Sequence, residues 1–144
     1  MFINEGLYSQ CMGNKSRILL IDDEPEILRA HRRVLQSVGD VELVLANDGQ
    51  EGLDLYRQSS GDYAVVVTDQ NMPRKKGLEV LAELAGEESL ALRVLAASCN
   101  DEEQQQAQVL GAYVLSKPFG NEELFKLVQD GVKLYQQRTE SQHK

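Results

Sequence analysis

The sequence predicts an α/β fold, an open parallel sheet with helices on both of its faces. Two observations carry that prediction. Short, nearly continuous apolar runs recur five times, and each is followed by a stretch of helical periodicity. Strands buried on both faces read as such runs, and a helix between two strands lets them lie parallel.

Ile18-Leu19-Leu20-Ile21 is the first strand and ends in Asp22-Asp23. Pro25 fits a first helical turn, where its missing N–H would have had no partner. Ile27, Leu28, His31, Val34, Leu35 and Val38 follow at helical spacing, and Gly39 is the stop. Val41 to Ala46 is the second strand. Asp48 caps a helix carrying Leu53 and Tyr56. Ala64 to Thr68 is the third strand and runs into Asp69. Gly77 to Ala85 is helical, with Leu78, Leu81, Ala82 and Leu84 on its apolar side. Val94 to Ala97 is the fourth strand. Asn100 or Asp101 caps a helix through Leu110, and Gly111 ends it. Tyr113 to Leu115 is the fifth strand. The last helix begins near Asn121, carries Leu124, Leu127, Val128, Val132 and Tyr135, and frays by about Thr139.

The chain has 144 residues, with 23 acidic against 15 basic side chains and a net charge of −8. That length suits one domain and one substantial core. Hydrophobic residues at 42% argue against wholesale disorder. The acidity argues against a duplex-DNA surface, which needs clustered Lys and Arg. No apolar stretch approaches the roughly 18–20 residues of a membrane helix. Met1 to Gly13 has neither a basic start nor a continuous apolar core, so it does not read as a signal peptide. Cys11 and Cys99 form no CxxC, which suits reduced thiols in a cytoplasmic protein. Residues 1–15 read as a disordered tail, and Met12 is an alternative start. Residues 139–144 read as a polar tail.

In open parallel sheets, chemistry gathers outside the carboxyl ends of the strands. Here those places hold Asp22-Asp23, Asp69, Ala97-Ser98 and Lys117. Three carboxylates at one edge repel each other unless a cation intervenes. A hard divalent ion such as Mg²⁺ prefers carboxylate oxygens and also binds phosphate. Asp69 ends the central strand, and a carboxylate there can attack a phosphoryl group. Lys117 can supply an ammonium to the transferring oxygens. Ser98 can supply a hydroxyl.

Three motifs now stand in order on the expected elements. They are Ile18-Leu19-Leu20-Ile21-Asp22-Asp23-Glu24-Pro25, Val66-Val67-Thr68-Asp69-Gln70-Asn71-Met72-Pro73 with Gly77 eight residues after Asp69, and Lys117-Pro118-Phe119. Together they resemble the receiver domain of two-component response regulators, over residues 16–138. The resemblance implies a flavodoxin-like (βα)₅ fold with strand order 2-1-3-4-5. It implies Asp69 as phosphoacceptor and a cis Lys117-Pro118 bond, with Lys117 pairing the phosphoryl group. Mg²⁺ (or Mn²⁺) would be held by Asp22, Asp23, Asp69 and the backbone carbonyl of Asn71, with Asp22 acting mainly through water. The donor would be a sensor histidine kinase or phosphotransfer protein, in a phosphorelay. The output would go to a downstream partner or a fused output domain, through the fourth helix, fifth strand and fifth helix. Direct contact with nucleic acid or membrane is not implied, and a homodimer is compatible with the long last helix.

Several positions depart from the family pattern. The switch hydroxyl falls on Ser98, with Ala97 as the alternative holder of that place. The aromatic that often moves with it falls on Val114, and Tyr113 faces the other way. The loop residues Arg74-Lys75-Lys76 read as a solvated basic turn, or as a patch that steers anionic donors. His31 reads as a helix-packing histidine. An aspartate-nucleophile phosphatase is the competing enzyme, but Asn71 stands where such enzymes carry a second acid. Flavin binding is disfavoured because Asp22-Asp23-Glu24 would repel a phosphate. A degenerate receiver acting only as an interaction module is the other alternative. The expected activity is that of a phosphoacceptor with at most slow autodephosphorylation, not of an enzyme.

Overall fold

A computed structural model describes residues 15–87 and 91–142. The elements are β1 (Ser16–Ile21), α1 (Pro25–Leu35), β2 (Val41–Ala46), α2 (Gly49–Gln58), β3 (Val65–Thr68), α3 (Gly77–Ala85), β4 (Leu92–Ala97), α4 (Asp101–Val109), β5 (Tyr113–Ser116) and α5 (Asn121–Gln142). The tail expected over residues 1–15, with Cys11 and Met12, lies outside the described residues apart from Lys15.

The five strands form one sheet in the order β2-β1-β3-β4-β5, and each neighbouring pair is parallel. The alternation of side chains sorts the core into two faces. Ile18, Leu20, Val65, Val67, Val94 and Ala96 face α1 and α5, where they meet Leu28, Leu35, Leu124, Val128 and Val132. Leu19, Ile21 and Val66 face Leu53 and Tyr56 of α2 and Val80 and Leu84 of α3. Leu95 and Ala97 pack against Leu81 of α3 and Ala107 of α4. Burial of each large aliphatic side chain contributes about 1.5–3 kcal/mol. Both sides of the sheet are therefore covered, and the open C-terminal edge is left for chemistry.

The helix starts follow their caps. Asp48 accepts the N–H of Glu51 at 2.9 Å and opens α2. At α4 the cap is Asn100: its Oδ1 accepts the Glu103 N–H at 2.8 Å, and the Glu103 carboxylate accepts the Asn100 N–H at 3.0 Å.

Two helix ends differ from expectation. α1 stops at Leu35, short of Val38, which is still buried after the chain turns. α5 runs to Gln142 and does not fray at Thr139, so residues 139–142 of the expected polar tail are helical. Gln, Arg and Glu are good helix formers, so polar composition alone does not end a helix. Gly131 brings α5 close to the sheet, since a Cβ there would lie 2.8 Å from Val65 and 2.9 Å from Leu92. Among the described residues no helix is long and apolar enough to cross a membrane.

Candidate functional site

β1 and β3 are neighbours, and Ile21 pairs with Thr68. The residues one step beyond that pair are Asp22 and Asp69, so the sheet sets them side by side. One oxygen from each of Asp22, Asp23 and Asp69 lies within 4.8 Å of the others. Asp22 is buried, Asp69 half-buried and Asp23 exposed, so the cluster opens from the sheet edge toward solvent.

Asp22 accepts the N–H of Glu24 at 3.0 Å, at the start of α1. Its carboxyl is nevertheless pushed up to about 6, chiefly by burial, with the Asp69 charge adding to the shift. The Glu24 N–H and the Lys117 ammonium pull the other way. A cluster that strains against its own charge is the kind of donor set a hard cation relieves.

Lys117 follows β5, where its N–H bonds the Ala97 carbonyl at 3.3 Å. Its Nζ stands 3.5 Å from Asp69 Oδ1, a long ion pair. The Lys117-Pro118 bond is cis, as the resemblance implied. Asp69 is anchored at both backbone ends. Its N–H bonds the Ile21 carbonyl at 3.0 Å, and its own carbonyl accepts the Thr68 hydroxyl at 2.9 Å. Asn71 lies exposed in the following loop.

At the end of β4 the alternation of side chains separates the two alternatives. Ala97 pairs with Ser116 and is buried against Leu81 and Ala107. Ser98 lies past the strand and is exposed. Ala97 therefore turns to the α3/α4 face, away from the face on which Ala96 and Val67 line the carboxylate cavity, and Ser98 follows in phase with Ala96. On β5, Tyr113 is 52% exposed, while Val114 packs on the α3/α4 side.

The basic run is an exposed turn, and two of its three side chains are ion-paired. Arg74 grips Asp48 through Nε at 2.9 Å and Nη2 at 3.1 Å, and holds that carboxyl below its usual range. Lys75 pairs with Glu83, which also takes Arg57 at 3.0 Å. Lys76 has no ion-pair partner among the described residues.

His31 packs on Phe119, with ring centroids 5.8 Å apart. It also walls a small cavity shared with Asp22, Asp69, Leu28 and Val67. Burial, and then the Lys117 ammonium, lower its pKa. The packing role is as expected, but the place beside the carboxylates was not read from the sequence. The signal available was its helical phase, which aims it inward from α1. Gln70, buried directly after Asp69, was also missed.

Comparisons with known proteins bear on the same residues. A family profile described as "Response regulator receiver domain" matches residues 18–129. The transcriptional regulatory protein KdpE of Mycobacterium tuberculosis is 34% identical over 118 residues, covering 81% of this chain and 50% of that protein. The response regulator MprA of Mycolicibacterium vanbaalenii is 39% identical over 110 residues, covering 75% of this chain and 46% of that protein. The two-component response regulator ARR22 of Arabidopsis thaliana is 24% identical over 114 residues, covering 77% and 80%. The chain thus spans about half the length of KdpE and MprA. A solved receiver domain protein from Clostridium thermocellum has a TM-score of 0.74 at 27% identity, over 82% of this chain and 94% of that one. The chemotaxis protein CheY4 of Vibrio cholerae has a TM-score of 0.66 at 27% identity, over 81% and 98%. The strand order, the carboxylates at the sheet edge and a profile match over most of the chain agree, and the chain belongs to the receiver-domain family of two-component response regulators.

Proposed function

We propose that Asp69 accepts a phosphoryl group from a phosphohistidine on a sensor histidine kinase or phosphotransfer protein. The observation that supports it best is the grouping at the sheet edge. Asp69 meets Lys117 at 3.5 Å and shares a 4.8 Å cluster with Asp22 and Asp23.

An Asp69 oxygen attacks phosphorus in line. The P–N bond breaks, its electron pair stays on the imidazole nitrogen, and that nitrogen takes a proton from solvent. An aspartyl phosphate is left on the chain. Lys117 then offers its ammonium to a phosphoryl oxygen, as positioned cations do in phosphoryl transfer. Asp22, Asp23, Asp69 and the Asn71 carbonyl would hold Mg²⁺ or Mn²⁺, which supplies charge neutralisation at the transferring oxygens.

On this reading the protein is a phosphoacceptor and not a turnover enzyme, with at most slow release of the group. It works in the cytoplasm, and it signals through the faces of α4, β5 and α5. The recipient is a downstream partner, a second copy of the chain or an output domain.

Incubation with Mg²⁺ and acetyl phosphate, followed by intact mass, tests the reading. The expected result is a gain of one phosphoryl group in the wild type and none in Asp69→Asn. Rapid multiple turnover of phosphate esters would replace it with the phosphatase reading. A wild type that neither gains mass nor binds beryllofluoride would be a degenerate receiver.

A further inference from the structure

Gln70 follows Asp69 directly, and only 4% of it is exposed. Both ends of its amide are used. Oε1 accepts the N–H of Leu78 at 2.8 Å, in the first turn of α3. Nε2 donates to Oε2 of Glu103 at 3.3 Å, in the first turn of α4. The Gln70 carbonyl also accepts the Gly77 N–H at 3.0 Å. Glu103 is itself two-handed, since its other oxygen accepts the Asn100 N–H at 3.0 Å and closes the α4 capping box. One buried amide therefore ties the residue after Asp69 to the starts of two helices.

A buried amide cannot turn away without leaving a donor or an acceptor unpaired. Displacement of the backbone at Asp69 and Gln70 must reach Leu78 or Glu103. α4 is the element better suited to yield, because Ala107 is the only residue buried along it. Its first turn carries Asp101, Glu102 and Glu103, so its cap is sensitive to added negative charge nearby.

We propose that Gln70 is a positioning residue that couples the chemical state of Asp69 to the N-terminus of α4 through Glu103. This rests on Asp69 being the phosphoacceptor. A phosphoryl group adds up to about two negative charges at Asp69. The shift of the following residue then changes the Gln70–Glu103 bond and resets the α4 cap. α3 and α4 flank an apolar groove floored by Leu78, Ala82, Val109 and Leu110, so the same bond sets how far that groove is open.

Hydrogen exchange over residues 98–110, with Mg²⁺ and with or without acetyl phosphate, tests the coupling. Gln70→Leu removes both hydrogen bonds at similar volume. Gln70→Glu keeps an acceptor for Leu78 but sets like charges against each other. Gln70→Glu with Glu103→Gln swaps the pair and rebuilds it. In the wild type, exchange at the α4 N-terminus changes on phosphorylation. Both single variants should lose that change while still gaining phosphoryl mass, and the swapped pair should recover it. The coupling is overturned by a phosphorylated wild type with no change at α4, by a single variant that keeps the full response, or by a phosphorylated swapped pair that stays silent. A wild type that gains no mass instead overturns the phosphoacceptor reading beneath it.

Discussion

The carbonyl oxygen of Asp69 lies against the α-carbon of Gly77, so closely that an added Cβ would overlap it. Leu95 closes the same space from the sheet side, at 2.9 Å from that Cβ. The loop from Asp69 to Gly77 is therefore shut by backbone contact. Gly77→Ala should force the loop outward. The expected loss of stability is about 1–3 kcal/mol, the usual range for overpacking. The same shift moves the Asp69 carboxylate, so phosphorylation by acetyl phosphate should slow as well. Urea unfolding and a timed mass assay read the two effects. Unchanged values in both would mean that the loop has slack the contact does not suggest.

Asp22 links the site to stability through pH. An aspartate ordinarily titrates near 3.8, and here the folded value is about 6. Between those values the folded protein holds a proton that the unfolded chain has released. Folding is therefore weakened as pH rises through that window, and the cost is complete above about pH 6. Without Mg²⁺, Asp22→Asn should be more stable than the wild type at about pH 7.5, with the gap closing toward pH 4. Metal binding needs the deprotonated carboxylate, so Mg²⁺ affinity should fall in the wild type below about pH 6. Urea titrations across pH with and without Mg²⁺ check both signs. A variant less stable than the wild type at neutral pH without metal would contradict the assignment.

Periodicity and the repeated β-α alternation placed the carboxylates and Lys117 at one edge of a parallel sheet, because both are properties of consecutive residues, whereas the strand order came from the family resemblance. Val41–Ala46 and Gly77–Ala85 fell within their sequence-read bounds for the same reason. What stayed hidden depends on distant partners. Asp48 lies 26 residues from Arg74, and Gln70 lies 33 from Glu103. No local pattern announces either contact. Which face Ala97 takes needed the packed sheet, where it meets Leu81 and Ala107 on the α3/α4 side. His31 is intermediate: its helical phase aimed it inward, but only the packing of α1 beneath the strand ends put it beside Asp22 and Asp69.

The partners of the basic run change what that run can do. Arg74 is committed to Asp48, and Lys75 to Glu83. Their charges are thus largely offset on the spot, and Lys76 is left to attract an anionic donor. Arg74 also sits at φ 68°, a left-handed conformation that its clamp to Asp48 helps to hold. Arg74→Ala should lower the urea midpoint by loosening the start of α2, with that loss shrinking at high salt. Lys76→Ala should leave stability alone and slow acetyl phosphate uptake slightly at low salt. An Arg74→Ala rate defect that appears only at low salt, with no stability change, would restore the steering role to Arg74.

Lys117 should act with opposite sign on the metal and on the phosphoryl group. Its ammonium stands 3.5 Å from Asp69 Oδ1 and also draws the Asp22 carboxyl downward. A cation entering the cluster is repelled by that charge, whereas a phosphoryl oxygen is attracted by it. Lys117→Ala should therefore bind Mg²⁺ more tightly at pH above about 7, where Asp22 is ionised. The Asp22 value itself should rise, because one of the two influences holding it down is gone. Phosphorylation should nevertheless slow by about 100-fold, as when one preorganised donor to a developing charge is removed. Lys117→Arg keeps the charge but presents a planar fork, so metal affinity should stay near that of the wild type while the rate recovers only in part. Calorimetric Mg²⁺ titration and timed intact mass on the three proteins separate these effects. Parallel loss of metal affinity and rate in Lys117→Ala would mean that the lysine supports the architecture of the cluster and not the transfer.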